Sequence, residues 1–339
     1  MIPTDLAGVE QEVSTGVLPE WDRIDELVSE AHGRYVGDQS GTVADYIPIL
    51  GAADPALFAV SVVDVAGGVH EAGDALHSFS IQSISKMFVY ALAIQEHGHE
   101  RVRDIVGVNN TGLPFNSVMA LELNGGHPMN PMVNAGAIAT TALMPGATPT
   151  AKWARILAGL SAFAGRDLAL DEEVYRSESQ TNQRNEGLGS LLSSYGRLEG
   201  DSDAIVDIYT RQCALNVSAH DLAVMGATLA DGGVNPVTGE RVVSAEVCRD
   251  TLAVVAASGL YERSGEWLFE IGIPAKSGVS GGIVAVSPGK GAAGAFSPLL
   301  DSAGNSVRSQ LAIGYLSRSL GLNMFASAPP TGAVSEGRS

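Results

Sequence analysis

The segment FSIQSISKMFVYALAIQEHG, residues 79–98, decides the fold of this chain. Ser83 and Lys86 form an S-x-x-K sequence within it, at the start of a predicted helix that Gly98 ends. Because residues at i and i+3 lie on one helix face, we expect the hydroxyl and the amine side by side. The apolar residues that recur at helical spacing are Ile84, Met87, Phe88, Ala91 and Leu92.

Ser83 has two interpretations at this position. Free backbone N–H groups at a helix start suit an oxyanion, which favours a nucleophile. A serine there also caps a helix without doing any chemistry. The S-x-x-K pair alone is weak evidence, because about 0.4 such matches are expected by chance in a chain of this length with 32 serines and four lysines. Ser287-Pro-Gly-Lys290 is interpreted as such a chance match.

A second motif, Lys276-Ser-Gly278, strengthens the first. S-x-x-K on a central helix followed by K-[ST]-G on a late strand is the signature of penicillin-binding proteins and β-lactamases. The S-D-N of class A β-lactamases is absent, and no Y-x-N replaces it. The two motifs therefore favour that fold and weaken the case for β-lactam chemistry.

The order of predicted elements agrees with this fold. Periodicity and turn residues predict a helix, two strands, many helices, three strands and a last helix. We expect an α/β (α+β) fold, in which helices flank an antiparallel sheet built from both chain ends and a large all-helical insertion lies between them. The first predicted segments are a helix at 18–32, a strand at 58–64 that turns at Gly67-Gly68 into a second strand, and the helix that begins at Ser83. A mostly helical stretch follows from Gly98 to about Arg263, and it includes a capped helix from Ser218 to Gly232-Gly233. The last predicted segments are strands at 267–273, 281–287 and 291–296 and a helix at 305–320.

No linker, repeat or low-complexity block divides the chain, so one domain is predicted over residues 16–328. Its sheet subdomain is expected at about 16–97 plus 266–328, and its helical subdomain at about 98–265. The two ends, residues 1–15 and 329–339, are predicted to be loose tails.

Charge and composition exclude several classes of function. The chain has 20 basic and 38 acidic side chains, a net charge of −18, and therefore no basic surface for nucleic acid or an anionic membrane. No apolar run approaches the length of a membrane span, and the acidic start differs from an export signal. Cys213 and Cys248 form no disulfide framework, so we expect a cytoplasmic protein.

Three short motifs fail on their context. Residues 97–100, HGHE, lack the i, i+4 histidine pair of a zinc helix, so no metal is expected. Residues 289–294 match a dinucleotide fingerprint without the required βαβ unit. Residues 278–282 match a nucleophile elbow, but no histidine follows them in the chain.

Longer stretches are similar to those of one known family, the serine-dependent glutaminases. They are ADYIPIL around Tyr46, FSIQSISKMF around Ser83, NPMVNAGAI around Asn134, SESQTNQRN around Glu178 and Asn185, DIYTRQC around Tyr209, SGLYERSGEW around Tyr261 and PAKSGVSGG around Val279. The likeness runs from about Leu18 to Phe325. It implies a β-lactamase-like fold, hydrolysis of L-glutamine to L-glutamate and ammonia, no cofactor, and a homo-oligomer, with a tetramer favoured over a dimer.

The resemblance also implies the site. Ser83 is the implied nucleophile, with Lys86 and Tyr261 as its catalytic partners. The implied substrate-binding residues are Tyr46, Gln82, Ser83, Asn134, Glu178, Asn185, Tyr209, Tyr261 and Val279. The chemistry fits, because the ammonium of glutamine calls for a carboxylate and its carboxylate and amide call for polar donors. Without the resemblance, Glu178 and Asn185 fit a solvent-exposed helix face, and Tyr209 and Tyr261 fit core residues whose polar end contacts water.

The predicted mechanism is a double displacement. Ser83 attacks the carboxamide carbon, Lys86 accepts its proton, and the N–H groups of Ser83 and Val279 bind the oxyanion. Ammonia leaves with a proton from Lys86 or Tyr261, and water hydrolyses the glutamyl ester. The sequence leaves open which of these two residues is the principal base. It also leaves two alternatives, a β-lactamase or esterase-like hydrolase and a non-catalytic amino-acid sensor on the same fold.

Overall fold

The computed structural model describes residues 18–327 and contains one large antiparallel sheet in that range. Five strands follow one another across it in the order β2-β1-β7-β6-β5. The first two come from the start of the described chain and the other three from its end, which confirms the predicted assembly of the sheet from both ends. The strands are β1 (Ala59–Asp64), β2 (Val69–Gly73), β5 (Ala275–Ser277), β6 (Gly282–Ser287) and β7 (Gly291–Phe296), and a separate two-stranded ribbon pairs β3 (Phe79–Ser80) with β4 (Asn216–Val217).

Fourteen α-helices surround the sheet within the described residues. Helices α1 and α14 cover one face, and α11 crosses the other against β1, β6 and β7. The remaining long helices pack around α3 in a single apolar core. The helices are α1 (Trp21–Tyr35), α2 (Pro48–Gly51), α3 (Ser85–His97), α4 (His99–Val106), α5 (Val118–Leu123), α6 (Asn134–Leu143), α7 (Pro149–Ala164), α8 (Glu172–Ser179), α9 (Gln183–Ser194), α10 (Ser202–Cys213), α11 (Ala219–Ala230), α12 (Ala245–Ser258), α13 (Ser264–Glu270) and α14 (Val307–Ser319).

The sheet is buried on both faces except at its edge strand β2, and this burial explains the small side chains of the central strands. Every residue of β1, β6 and β7 is buried, and β7 reads GAAGAF. A built Cβ on Gly294 would lie 2.2 Å from the carbonyl oxygen of Ala219, so α11 approaches the sheet more closely than a larger residue would permit. The predicted cap of α11 is confirmed, since Ser218 and Asp221 form a complete capping box.

The predicted strand at residues 267–273 is wrong. Helix α13 occupies most of this segment, and the third late strand is β5 instead. Trp267 and Ile271 are both buried one turn apart, while Phe269 between them is 85% exposed, so the burial has helical rather than alternating periodicity. The indole nitrogen of Trp267 donates to the carbonyl oxygen of Ile273, which closes the turn into β5. The short β3–β4 ribbon was not predicted.

Two further sequence predictions can be compared with the structure, and a third cannot. Cys213 and Cys248 are both buried free thiols, as expected. No helix in the described part of the chain is long and apolar enough to cross a membrane. The predicted tails at 1–15 and 329–339 lie outside the described residues.

Candidate active site

A cavity of about 240 Å³ opens at the turn before α3. Eight of the ten predicted site residues line it: Tyr46, Gln82, Ser83, Asn134, Glu178, Asn185, Tyr209 and Val279. The other two, Lys86 and Tyr261, are buried and contact these lining residues from behind. The structure therefore brings together side chains from segments that are more than 200 residues apart in the sequence.

Ser83 lies in a 3-10 turn, Gln82–Ile84, directly before α3. Neither that turn nor α3 has a side-chain cap, so Ser83 does not serve as a helix cap. The preceding Gln82 has a φ of +52°, a strained conformation for a residue with a side chain. Its amide nitrogen donates to Ser80 Oγ at 3.0 Å and to Glu178 Oε1 at 2.5 Å, which holds the turn in place.

Lys86 is 1% exposed and occupies the polar centre behind the cavity. Its Nζ donates to Asn134 Oδ1 at 2.7 Å and to the carbonyl oxygen of Met132 at 3.1 Å. Burial lowers the pKa of Lys86 to about 8. Burial and then the charge of Lys86 lower the pKa of Lys276 well below its usual range.

Tyr261 is the second residue held in a strained conformation, with a φ of +55°. Its hydroxyl donates to the carbonyl oxygen of Ser277 at 3.3 Å. Although burial is the larger effect, the Ser83 side chain lies near enough to lower the pKa of the phenol. Lys276 Nζ lies 4.4 Å from the centroid of the Tyr261 ring, and the Phe115 ring packs on it at 4.6 Å. Burial raises the pKa of Tyr261 well above its ordinary value, so the phenol stays protonated.

Three asparagines link the buried lysine to the wall of the cavity. Asn134 accepts from Lys86 with its oxygen and donates to Asn185 Oδ1 at 2.9 Å. Asn185 donates in turn to Asn182 Oδ1 at 2.6 Å, and Asn182 donates to Thr210 Oγ1 at 2.8 Å. The Asn134 oxygen, which also accepts from Tyr209 at 3.4 Å, is therefore engaged inside the protein.

Glu178 contributes the only carboxylate among the residues that line the cavity in the described structure. Burial raises its pKa to about 7, and the hydrogen bond from Gln82 opposes part of that rise. A desolvated carboxylate with one donor partner is well suited to binding a cationic group that enters the cavity.

Val279 follows β5, and its position supports a role for its backbone. The side chain is 8% exposed and packs in a small apolar cluster with Tyr261 and Leu300. Its N–H donates no backbone hydrogen bond to any residue of the described range. A free amide beside a serine hydroxyl is the group that an oxyanion requires.

Sequence reasoning missed several lining residues. Asn182 and Arg184 lie within the same SESQTNQRN stretch as Glu178 and Asn185, so that stretch was their signal. Thr210 and Cys213 follow Tyr209 along the inner face of α10. Phe115 and Asn116 come from the loop before α5, which carries no recognisable motif. No group of three or more possible metal ligands occurs among residues 18–327.

The fold and this site define a class of protein. A sheet built from both chain ends, an S-x-x-K at the start of a central helix and a K-S-G on the adjoining strand β5 are the architecture of the serine β-lactamase-like enzymes. The sequence profile of one family in that class, described as Glutaminase, matches residues 41–325.

Known proteins identify the family. Glutaminase 2 of Yersinia pestis is 54% identical over 97% of this chain and 98% of its own length. The glutaminase of Colwellia psychrerythraea is 48% identical over 91% of this chain and 99% of its own length. The solved probable glutaminase YbaS superposes with a TM-score of 0.90 at 44% identity, covering 91% of this chain and all of that one. A solved probable glutaminase from Bacillus subtilis, complexed with 6-diazo-5-oxo-L-norleucine, superposes with a TM-score of 0.79 at 30% sequence identity. The match covers 89% of this chain and 96% of that one.

The chain therefore belongs to the glutaminase family. It is an amidohydrolase that converts L-glutamine to L-glutamate and ammonia.

Proposed function

We propose that this glutaminase works by double displacement, with Ser83 as the nucleophile that forms a glutamyl ester. The observation that carries the proposal is the place of Ser83 in the cavity lining, near the buried Tyr261 and one helical turn before the buried Lys86. Ester formation splits a difficult amide hydrolysis into two easier steps, and the second step uses water.

The pKa directions favour Lys86 as the base. Burial brings the pKa of Lys86 down to about 8, close to a working pH, whereas it raises the pKa of Tyr261. A neutral amine has two N–H bonds and one lone pair. Met132 and Asn134 accept the two N–H bonds, which leaves the lone pair for the Ser83 proton.

Tyr261 is better suited to be a proton donor. A protonated phenol near Ser83 can relay a proton: it gives its own to the departing ammonia while it takes up the one that Lys86 accepted from Ser83, so that it ends protonated again. The N–H groups of Ser83 and Val279 are the proposed oxyanion donors, because they lie beside the hydroxyl that attacks.

Glu178 is proposed to bind the α-ammonium of L-glutamine. The remaining proposed substrate contacts are Tyr46, Gln82, Asn134, Asn185, Tyr209 and Tyr261. Since the Asn134 oxygen is engaged with Lys86, its contribution to the substrate falls on the NH₂ side, in exchange with Asn185. No cofactor is needed for any of these steps.

The test is a covalent label. The diazoketone 6-diazo-5-oxo-L-norleucine carries its electrophilic carbons where glutamine has its carboxamide end. We expect incubation to add a single label to the peptide that contains Ser83, and Ser83→Ala to take up none. Ser83→Ala is also expected to lose at least about 10³-fold in kcat with an unchanged melting temperature. A label on another residue, or more than a tenth of wild-type activity in Ser83→Ala, would contradict the assignment.

We further propose that the protein forms a homo-oligomer, a tetramer in preference to a dimer, in the cytoplasm. The large apolar side chains that are exposed on the single chain, including Leu123 at 76% and Phe269 at 85%, support the oligomer, and the two free cysteines support the cytoplasm. Light scattering of the purified protein measures the assembly directly.

One domain over residues 16–328 is proposed as well, and the apolar clusters on the two faces of its sheet support it.

A further inference from the structure

The loop between β7 and α14 is organised around one carboxylate, that of Asp301. Its Oδ1 accepts the backbone N–H of Ala303 at 2.8 Å and of Asn305 at 3.0 Å. Its Oδ2 accepts the side-chain amide of Gln310 at 3.2 Å and lies 3.8 Å from Arg263 Nε. The Asp301 side chain is 14% exposed, so these four donors are its main surroundings.

This loop touches two residues of the proposed active site. A built Cβ on Gly304 would lie 3.6 Å from Val279 Cγ1 and 3.9 Å from Tyr261 Cε2. Leu300, directly before Asp301, packs in the apolar cluster that contains the same two residues. The loop therefore forms the back wall against which Tyr261 and Val279 rest.

Arg263 connects Asp301 to the strained segment that carries Tyr261. It ends the 3-10 turn Tyr261–Arg263, two residues after the tyrosine. The turn is also fixed locally, because the Ser264 hydroxyl donates to the carbonyl oxygen of Tyr261 at 2.9 Å. A φ of +55° at a tyrosine persists only when its surroundings hold it. Arg263 pairs with Glu266 in the same segment at 3.2 Å, and the Asp301 carboxylate at 3.8 Å is its contact with the loop before α14.

We propose that Asp301 is a positioning residue for the glutaminase reaction. Through Arg263, and through the loop that carries Leu300 against Tyr261, its carboxylate fixes the turn that places the Tyr261 hydroxyl near Ser83. The proposal rests on the role of Tyr261 given under the proposed function. Because a displacement of about 1 Å at a reacting group costs up to about 10²-fold in rate, loosening this turn is expected to lower kcat rather than substrate affinity.

The test is Asp301→Asn, which keeps an oxygen for the two backbone N–H groups but turns an NH₂ towards Gln310 and Arg263. We expect kcat to fall about tenfold and KM to stay within about twofold. Arg263→Gln breaks the same pair from the other side, so it should also lower kcat and leave KM almost unchanged. The double variant should lose no more kcat than either single variant.

Asp221→Asn is the matched control. Asp221 also pairs with an arginine, Arg166, and accepts a backbone N–H, that of Ser218, but it caps α11 away from the cavity. It should lower the melting temperature and leave kcat unchanged. If Asp301→Asn behaves in the same way, its role is structural only and the proposal is overturned.

A double-mutant cycle with Tyr261→Phe separates this proposal from the proposed function. In the Tyr261→Phe background, the residual ammonia release should change less than about twofold on adding Asp301→Asn. An equal loss in both backgrounds would show that Asp301 acts through another group. Wild-type kcat in Tyr261→Phe alone would remove the tyrosine from the mechanism, a failure that is visible without Asp301 and that overturns both.

Discussion

Two residues with side chains have a positive φ in the described range, Gln82 and Tyr261, and both contact the proposed catalytic serine segment. Such conformations cost of order 1–3 kcal/mol each and persist where surrounding contacts over-determine them. Here the Gln82 amide is bonded to Ser80 and Glu178, and the Tyr261 turn is bonded to Ser264. The strain therefore lies where the position of the Ser83 hydroxyl matters most.

Lys86→Arg is expected to be as inactive as Lys86→Ala. Arginine keeps the positive charge but cannot be deprotonated, so it cannot accept the Ser83 proton. In the wild type, kcat/KM should rise with pH up to about 8, the pKa of Lys86, because the neutral amine is the working form. Ammonia release at pH 7 and pH 9 measures both effects.

Lys152→Arg is the control for that substitution. Lys152 is a half-buried lysine that bonds the carbonyl oxygens of Ala142 and Met144 away from the cavity, and it should retain activity as arginine. Substantial turnover in Lys86→Arg would instead limit Lys86 to a fixed charge and make Tyr261 the better base.

Glu178 should give KM a pH dependence of its own. Burial raises its pKa to about 7, so below that pH the carboxyl is protonated and loses its attraction for the substrate ammonium. We expect the KM for L-glutamine to rise as pH falls below about 7 and to level off above it. Glu178→Gln should cost about 2 kcal/mol in kcat/KM and flatten this dependence. Glu186→Gln, an exposed glutamate on α9, should behave as wild type, and an unchanged KM profile in Glu178→Gln would refute the role.

At the scale of elements, α11 packs closely against the sheet. A built Cβ on Gly226 would lie 2.6 Å from Ala292 Cβ and 2.7 Å from Val284 Cγ2. Gly226→Ala is therefore expected to destabilise the protein by about 1–3 kcal/mol, although alanine is the better helix former. Gly187→Ala on α9 is the control, because its Cβ would meet no atom within 4 Å, and it should be neutral or stabilising. Denaturant unfolding of the two variants compares them, and equal stabilities would show that α11 has room to shift.

The elements that sequence reasoning predicted correctly are those with a clear pattern of apolar residues and clear ends. β1 is a short apolar run flanked by turns, and α3 has apolar residues at helical spacing and ends at Gly98, although most of its residues are buried. At Trp267 a short apolar run is compatible with both the helical and the strand pattern. The helix is favoured by a tertiary contact, in which the indole nitrogen donates to the carbonyl oxygen of Ile273. The two-residue strands β3 and β4 are too short to carry any period.

The site residues likewise divide into those that a sequence motif indicates and those that only the tertiary structure shows. Residues within long motifs, such as Glu178 and Asn134, came together as the family resemblance implies. Phe115 could not be found from the sequence, because it reaches the Tyr261 ring from a loop that carries no motif. The hydrogen bond between the Asn134 oxygen and Lys86 also depends on tertiary packing, so a residue expected to bind substrate also binds the proposed base.

At the scale of the whole molecule, the net charge of −18 distinguishes substrate from product. L-Glutamine is a zwitterion without net charge, so the long-range field of the protein neither attracts nor repels it. L-Glutamate carries one negative charge and is repelled, which favours its release. Added salt screens this repulsion over a distance of about 10 Å at 0.1 M.

Product inhibition should therefore strengthen with ionic strength. Between 0.02 and 0.5 M NaCl we expect the inhibition constant of L-glutamate to fall about threefold relative to the KM of L-glutamine. Local contacts with Glu178 and the asparagines are shared by the two ligands, so the ratio of the two constants isolates the net-charge effect. Initial rates of ammonia release with and without added L-glutamate, at pH 8 and several salt concentrations, give that ratio. A ratio that stays constant would mean that the acidic surface lies too far from the cavity to act on what enters or leaves it.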